Sequence, residues 1–184
     1  MQALLGNLRV EELNDEVLVA VDPIAKIGRA EIQLLKERAL RNPRQRIRIC
    51  AHKSTDDPLH EMLIVHTKDT YVRPHKHINK SESFHVVEGV VDVIVLDEIG
   101  KVVEVIEMGD YVSGRRFYYR IDAPAYHTLI IRSDVLVFHE TTNGPFRRED
   151  AVFASWSPAD GDLEGRRAFQ AQLLEQLRLV LSLS

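Results

Sequence analysis

The pattern of apolar and polar residues changes twice along the chain, and its first part predicts a helix. Between residues 23 and 41, isoleucine, leucine and alanine recur at the spacing of one helix face. Asp22-Pro23 has the residues of a helix start, with a capping carboxylate followed by proline in the first turn. Asn42-Pro43 ends the pattern, because the residue before a proline is disfavoured in a helix. One amphipathic helix is therefore expected over residues 23–41.

From about residue 45 to residue 141 the apolar residues recur with a period of two. RIRIC alternates, VVDVIVLD and KVVEVIEM are rich in valine and isoleucine, and turn segments rich in glycine, proline and aspartate separate them. Short strands without intervening helices favour an antiparallel sandwich or barrel. VVDVIVLD is apolar on both faces, which predicts cover on both sides, from a terminal helix or from a second chain.

The helical period returns after Pro158. Phe169, Leu173 and Leu177 form one stripe, and Asp162 can cap the helix that carries them. We therefore divide the chain into an N-terminal extension with one amphipathic helix (1–44), a β-barrel (45–158) and a C-terminal helix (159–184).

Composition and charge exclude several classes of function. The chain has 184 residues and a net charge of −4, which gives no electrostatic reason to expect nucleic acid or an anionic membrane as a partner. Its single cysteine cannot form an internal disulfide. No segment has the length of an apolar membrane span, and the N-terminal apolar run is too short for a signal peptide. These observations predict a soluble cytoplasmic protein.

The segment RPHKHINKSESFHVVEG, residues 73–89, holds the candidate chemistry. His75 and His77 are two residues apart in a strand and project to the same face, where two imidazoles can chelate one cation. Glu82 follows after a stretch long enough for a turn that returns a carboxylate to the same point. His127, on a distant strand, can supply a fourth donor. Three imidazoles and one carboxylate suit a single divalent transition metal ion, such as Fe, Mn, Ni or Zn.

These motifs resemble those of the cupins. HKHINKSESFHVVEG matches the first cupin motif, in which two histidines one residue apart are followed by glutamate and then glycine. The second motif is matched less closely. Gly109 begins it and Pro124-Ala125-Tyr126-His127 ends it, but its inner glycine is missing and isoleucine stands where the motif has asparagine.

The resemblance extends to the WbuC-type cupin metalloproteins, through NPRQRIRICAHKSTDDPLHEMLIV and AVFASWSP as well as the first motif. It covers about residues 20–160. It implies a mainly β fold, the cupin double-stranded β-helix or jelly roll, with a metal held by His75, His77, Glu82 and His127. Because members of that family are often associated with O-antigen gene clusters, it also implies a role in cell-surface polysaccharide (lipopolysaccharide) biosynthesis. A homodimer is expected on the same basis, since cupins commonly dimerise.

Side-chain parity extends the constellation to residues that can bind a substrate. If His75 and His77 face the interior, Tyr71 and Arg73 face it as well, and an arginine can hold a carboxylate or a phosphate. The alternative for Arg73 is a salt bridge at the barrel mouth. Tyr119 lies in FYYR, in the long segment before the fourth histidine, where a lid can form. FYYR can equally be a strand that packs on the N-terminal helix. Tyr71, Arg73 and Tyr119 are thus the substrate-binding candidates.

The same parity predicts the apolar lining of the barrel. Counting from Glu82 in steps of two takes Phe84 inward and leaves His85 on the other face. Counting from His127 takes Leu129 inward. The resulting cavity is apolar toward its base and polar toward its mouth.

Three classes of function fit these residues. The first is a metal-dependent enzyme that acts on a small polar molecule such as a sugar or sugar nucleotide, as an isomerase, lyase or dioxygenase. The sequence does not separate these reactions and identifies no catalytic residue. The second is a non-catalytic, metal-containing module that binds a small-molecule ligand or regulates. The third, a structural jelly roll with incidental histidines, is disfavoured by the ligand spacing.

Overall fold

A computed structural model describes residues 2–182 as a mainly β protein with two helices. The helices are α1 (Arg29–Arg41) and α2 (Leu163–Leu181). The strands are β1 (Gln2–Leu5), β2 (Leu8–Asn14), β3 (Val17–Ala20), β4 (Arg46–Cys50), β5 (Leu59–Thr67), β6 (His75–His77), β7 (Glu82–Glu88), β8 (Val90–Leu96), β9 (Val102–Gly109), β10 (Tyr118–Ile121), β11 (Tyr126–Ile131), β12 (Val135–Asn143) and β13 (Ala151–Phe153).

The strands form two sheets with jelly-roll connectivity. The large sheet has the order β1-β2-β3-β4-β5-β12-β7-β10, and the small sheet has the order β13-β6-β11-β8-β9. When β5 to β12 are counted from one to eight, the large sheet contains the order 1-8-3-6 and the small sheet the order 2-7-4-5. This is the double Greek key of a jelly roll. The predicted fold is confirmed.

The N-terminal region contains more than the predicted helix, because β1, β2 and β3 extend the large sheet beyond β4. The predicted helix start was wrong, since α1 begins at Arg29. Asp22 does not cap it, because its carboxylate accepts hydrogen bonds from the backbone N–H and the Nε of Arg9. Glu31 closes the helix N-terminus instead, by accepting from the backbone N–H of Gly28 at 2.8 Å. Local capping signals were thus overridden by a contact with a neighbouring strand.

The inner faces of the two sheets pack into the central core. Phe84 and Phe138 of the large sheet stack with ring centroids 4.2 Å apart, and both are almost fully buried with Val93 of the small sheet. Phe84 and Leu129 face inward and His85 is exposed, as parity predicted. The base of the barrel is therefore filled by side chains.

The two helices cover the outer faces of the sheets. Leu35 of α1 packs against Ile47 of the large sheet. Leu177 of α2 packs against Ile94 of the small sheet, in VVDVIVLD. The cover predicted for this strand therefore comes from a terminal helix, and the homodimer stays a prediction.

The C-terminal segment is anchored before its helix begins. Asp162 caps α2 as predicted, accepting from the backbone N–H of Gly165 at 2.9 Å. Trp156 donates from Nε1 to the Glu98 carbonyl at 3.0 Å and packs against Tyr126. Among residues 2–182, no helix has the length and apolar character needed to cross a membrane.

Candidate metal centre

The structure brings the four predicted donors together. His75, His77, Glu82 and His127 each offer one ligand atom, and these atoms lie within 4.8 Å of one another. The Nε2 of His77 is 3.0 Å from Glu82 Oε2, and the Nε2 of His127 is 3.6 Å from Glu82 Oε1. Four donors converge on one point, where a single metal ion fits.

The centre joins the two sheets. His75 on β6 lies directly opposite His127 on β11, so these imidazoles are cross-strand neighbours in the small sheet. Glu82 is the first residue of β7 in the large sheet and points to the same interior as Phe84. The ligand set is complete only when the sheets pack face to face.

Backbone carbonyls orient two of the imidazoles. The Nδ1 of His75 lies 2.9 Å from the Arg73 carbonyl, and the Nδ1 of His127 lies 3.0 Å from the Ala125 carbonyl. A carbonyl only accepts, so each Nδ1 carries the proton and donates it. Each Nε2 is then left with its lone pair free for a metal.

The electrostatics of the centre also favour a metal. Burial, and then the neighbouring His127, lower the pKa of His75 to about 3, so this imidazole is neutral at pH 7. Burial alone would raise the pKa of Glu82, but the hydrogen bond with His77 and the nearby histidines lower it to about 2. A neutral imidazole and an ionised carboxylate are the forms that bind metal ions. The donor chemistry therefore fits a divalent cation.

Tyr119 holds the carboxylate ligand in place. Of the two alternatives for FYYR, a lid or a strand, the structure shows a strand. This strand, β10, pairs with β7 at the edge of the large sheet. The Tyr119 side chain is buried, stacks on Phe84 and donates its hydroxyl proton to Glu82 Oε1 at 3.1 Å. In the described structure the Tyr119 hydroxyl therefore already has a hydrogen-bond partner, the predicted metal ligand Glu82. Its contact with a substrate stays a prediction.

We expect Tyr119→Phe to lower metal affinity about tenfold while the fold is retained, because partners of metal ligands typically contribute 10–100-fold. The neighbouring Tyr118→Phe is the matched control, since the Tyr118 hydroxyl donates to Ser83 on the exposed face of the sheet. Competition titration with a chromophoric chelator measures both affinities. Equal affinities in the two variants would contradict the role of Tyr119.

The other two substrate-binding candidates contact the C-terminal segment. Tyr71 is buried and donates its hydroxyl proton to the Pro158 carbonyl at 3.0 Å, and burial raises its pKa to about 12. Arg73 donates to the Ser157 hydroxyl at 3.1 Å and to the Ala154 carbonyl at 3.2 Å. These bonds fasten the segment that precedes α2 to the barrel. Substrate binding by Tyr71 and Arg73 stays a prediction.

Two charged residues on the inward-facing side of the large sheet were missed by the sequence analysis. Glu140 on β12 is partly buried, and burial followed by the charge of Glu82 raises its pKa to about 8. Arg48 on β4 opposes this shift with its positive charge. Arg48 alternates with Ile47 and Ile49, a pattern that suggests an ordinary solvent-facing strand position. Glu140 stands between His139 and Thr141, in a polar stretch that does not indicate a buried position.

Comparisons with known proteins give distant matches. A family model described as a domain of unknown function, DUF6016, matches residues 27–108, which is less than half of the chain. A search of curated proteins finds no match. Among solved structures, the chain is similar to protein SO0799 from Shewanella oneidensis, at 9% identity and a TM-score of 0.48, over 58% of this chain and 72% of that chain.

Two longer proteins are also similar in part. Oxalate decarboxylase from Bacillus subtilis matches at 14% identity and a TM-score of 0.43, over 53% of this chain and 24% of that chain. The capsular polysaccharide assembling protein CapF from Staphylococcus aureus matches at 20% identity and a TM-score of 0.44, over 53% of this chain and 27% of that chain. The chain thus spans about a quarter of each of these proteins. Similarities this distant assign no function, which has to be inferred from the site itself.

Proposed function

We propose that the protein is a metal-dependent enzyme that acts on a small polar molecule. The observation that carries this proposal is the centre of three histidines and one glutamate, in which two imidazoles are already oriented by backbone carbonyls. His77 keeps 21% of its side chain exposed, whereas Glu82 keeps 5%. The centre is therefore buried on the side of Glu82 and accessible to solvent on the side of His77, unlike the closed sites of structural zinc.

The residues of the chain prepare this centre in three ways. His75 and His127 are aligned by carbonyl hydrogen bonds, so their Nε2 atoms face the same point. Tyr119 restrains the Glu82 carboxylate. Phe84 and Phe138 fill the barrel beneath it and keep water out from that side. A bound divalent ion supplies Lewis-acid chemistry on a substrate oxygen, or redox chemistry if it is iron or manganese.

The substrate class is proposed from the resemblance noted in the sequence. The WbuC-type pattern favours a sugar or sugar nucleotide in cell-surface polysaccharide metabolism. Isomerisation, elimination and dioxygenation are the reaction types that a divalent metal held by His75, His77, Glu82 and His127 would support. A non-catalytic module that binds the same ligand is the alternative. It is favoured because Glu82, His75 and His127 would all bind the metal, which leaves no separate histidine–carboxylate pair among them for proton transfer.

The test has two parts. It measures whether the bound metal keeps coordination positions occupied by exchangeable water, and whether candidate substrates are converted to products. Protein loaded with Mn²⁺ is expected to enhance water-proton relaxation, and formate is expected to reduce this enhancement by displacing water. Candidate sugar nucleotides and sugar acids are then incubated with the loaded protein and followed by mass spectrometry. A metal without exchangeable water would overturn the enzyme proposal, and binding without conversion would favour the non-catalytic module.

A further inference from the structure

The inner face of the large sheet carries a carboxyl group, that of Glu140, close to the metal centre. On β12, Glu140 points to the same side as Phe138, a residue of the central core. It lies opposite Phe84 on β7 and opposite Met62 on β5. Both partners belong to the central core, so the Glu140 carboxylate faces the barrel interior.

Within residues 2–182, no hydrogen bond holds the Glu140 carboxyl group in place. The influences on its pKa are burial and the charges of Glu82 and Arg48, with no hydrogen bond among them. It also lies outside the group of four metal donors. A buried carboxylate without a partner is costly, so such groups are retained where a ligand or water supplies the missing hydrogen bonds.

Arg48 lies on the same face of the large sheet, at an exposed position of β4. On β4 it shares a face with Cys50, which belongs to the central core, whereas Ile47 and Ile49 face α1. The register relates Arg48 to Glu140, because Arg48 lies opposite Ile64 on β5 and Ile64 lies opposite Phe138 on β12, two residues before Glu140. Among residues 2–182, the Arg48 guanidinium has no ion-pair partner, unlike that of Arg46, which pairs with Glu16.

We propose that Glu140 and Arg48 form a substrate subsite that adjoins the metal centre and takes a small polyhydroxylated anion. A hydroxyl group of the ligand hydrogen-bonds with the Glu140 carboxyl group, and the ligand's carboxylate or phosphate group pairs with the Arg48 guanidinium. Another ligand oxygen reaches the metal. This inference rests on the proposed metal-dependent function and names the ligand chemistry that the function requires.

The subsite is tested by calorimetric titration of metal-loaded protein with gluconate, glucose 6-phosphate and sorbitol. The two anions are expected to bind more tightly than neutral sorbitol, and the tighter of them identifies the anionic group. Arg48→Gln is expected to weaken the anions at least about tenfold and to leave sorbitol unchanged, as expected for loss of one charge-assisted contact. Glu140→Leu, which removes the polar group at similar volume, is expected to weaken all three probes. The matched control is Arg46→Gln, on the same face of β4 but already paired with Glu16.

Metal content, measured on the same samples, separates this inference from the proposed function. It is expected to be equal in wild type and in all three variants. Loss of metal in Glu140→Leu would overturn the subsite, because Glu140 would then act as a ligand. No binding of any probe by loaded wild type, or unchanged binding in both subsite variants, would overturn it as well. If formate still displaces water in those samples, the metal-dependent function stands without the subsite.

Discussion

Replacing His127 by alanine is expected to lower metal affinity by at least about 100-fold. Residues that only hydrogen-bond to metal ligands contribute up to about 100-fold, and this variant loses a ligand itself. The variant keeps two histidines on one short strand and a carboxylate on the opposite sheet, without the imidazole that lies directly opposite His75. Elemental mass spectrometry of untagged protein, purified without chelator, measures the loss. His75→Ala is expected to behave in the same way.

His85→Ala is the matched control for this loss. His85 lies on β7 three residues after Glu82, but its side chain is exposed on the opposite face of the strand. Its removal is expected to leave about one ion per chain, as expected for a single metal centre. Thermal unfolding provides the second measurement, since a metal that binds only the folded state raises the midpoint of wild type and of the control. Retention of metal by His127→Ala would show that the four donors are not the site.

Replacing Phe84 by alanine is expected to lower the free energy of unfolding by about 3–5 kcal/mol, the range for burial loss and cavity formation at a core phenylalanine. Phe84 is 2% exposed and stacks between Phe138 and Tyr119. Its loss therefore opens a cavity beneath the metal centre. Since Tyr119 rests on this ring and holds Glu82, weaker metal binding is expected to accompany the loss of stability.

Val87→Ala is the matched control on the same strand. Val87 is 48% exposed on the outer face, so its truncation is expected to change the free energy of unfolding by less than about 1 kcal/mol. Urea denaturation of metal-free protein measures both variants and keeps metal binding out of the comparison. Similar values for the two variants would mean that the interior between the sheets is not packed around Phe84.

Prediction from the sequence succeeded where the signal was local and periodic. The stripe on α2, its cap at Asp162 and the inward parity of Phe84 all follow from side-chain direction within one element. The start of α1 was wrong for the opposite reason. Asp22-Pro23 is a good local start, but the Asp22 carboxylate is taken by Arg9, a residue of a strand that pairs elsewhere in the fold.

The sequence by itself determined the alternating strands between residues 45 and 141, the paired direction of His75 and His77, and the chemical type of the donor set. Only the tertiary structure decided that Tyr119 hydrogen-bonds to Glu82 and that Glu140 lies opposite Phe84 on the inner face of the large sheet. The physical reason is that alternation along a strand is set by backbone geometry within a few residues. Which side chains meet across strands and between sheets depends on register and packing of distant segments, which no local pattern encodes.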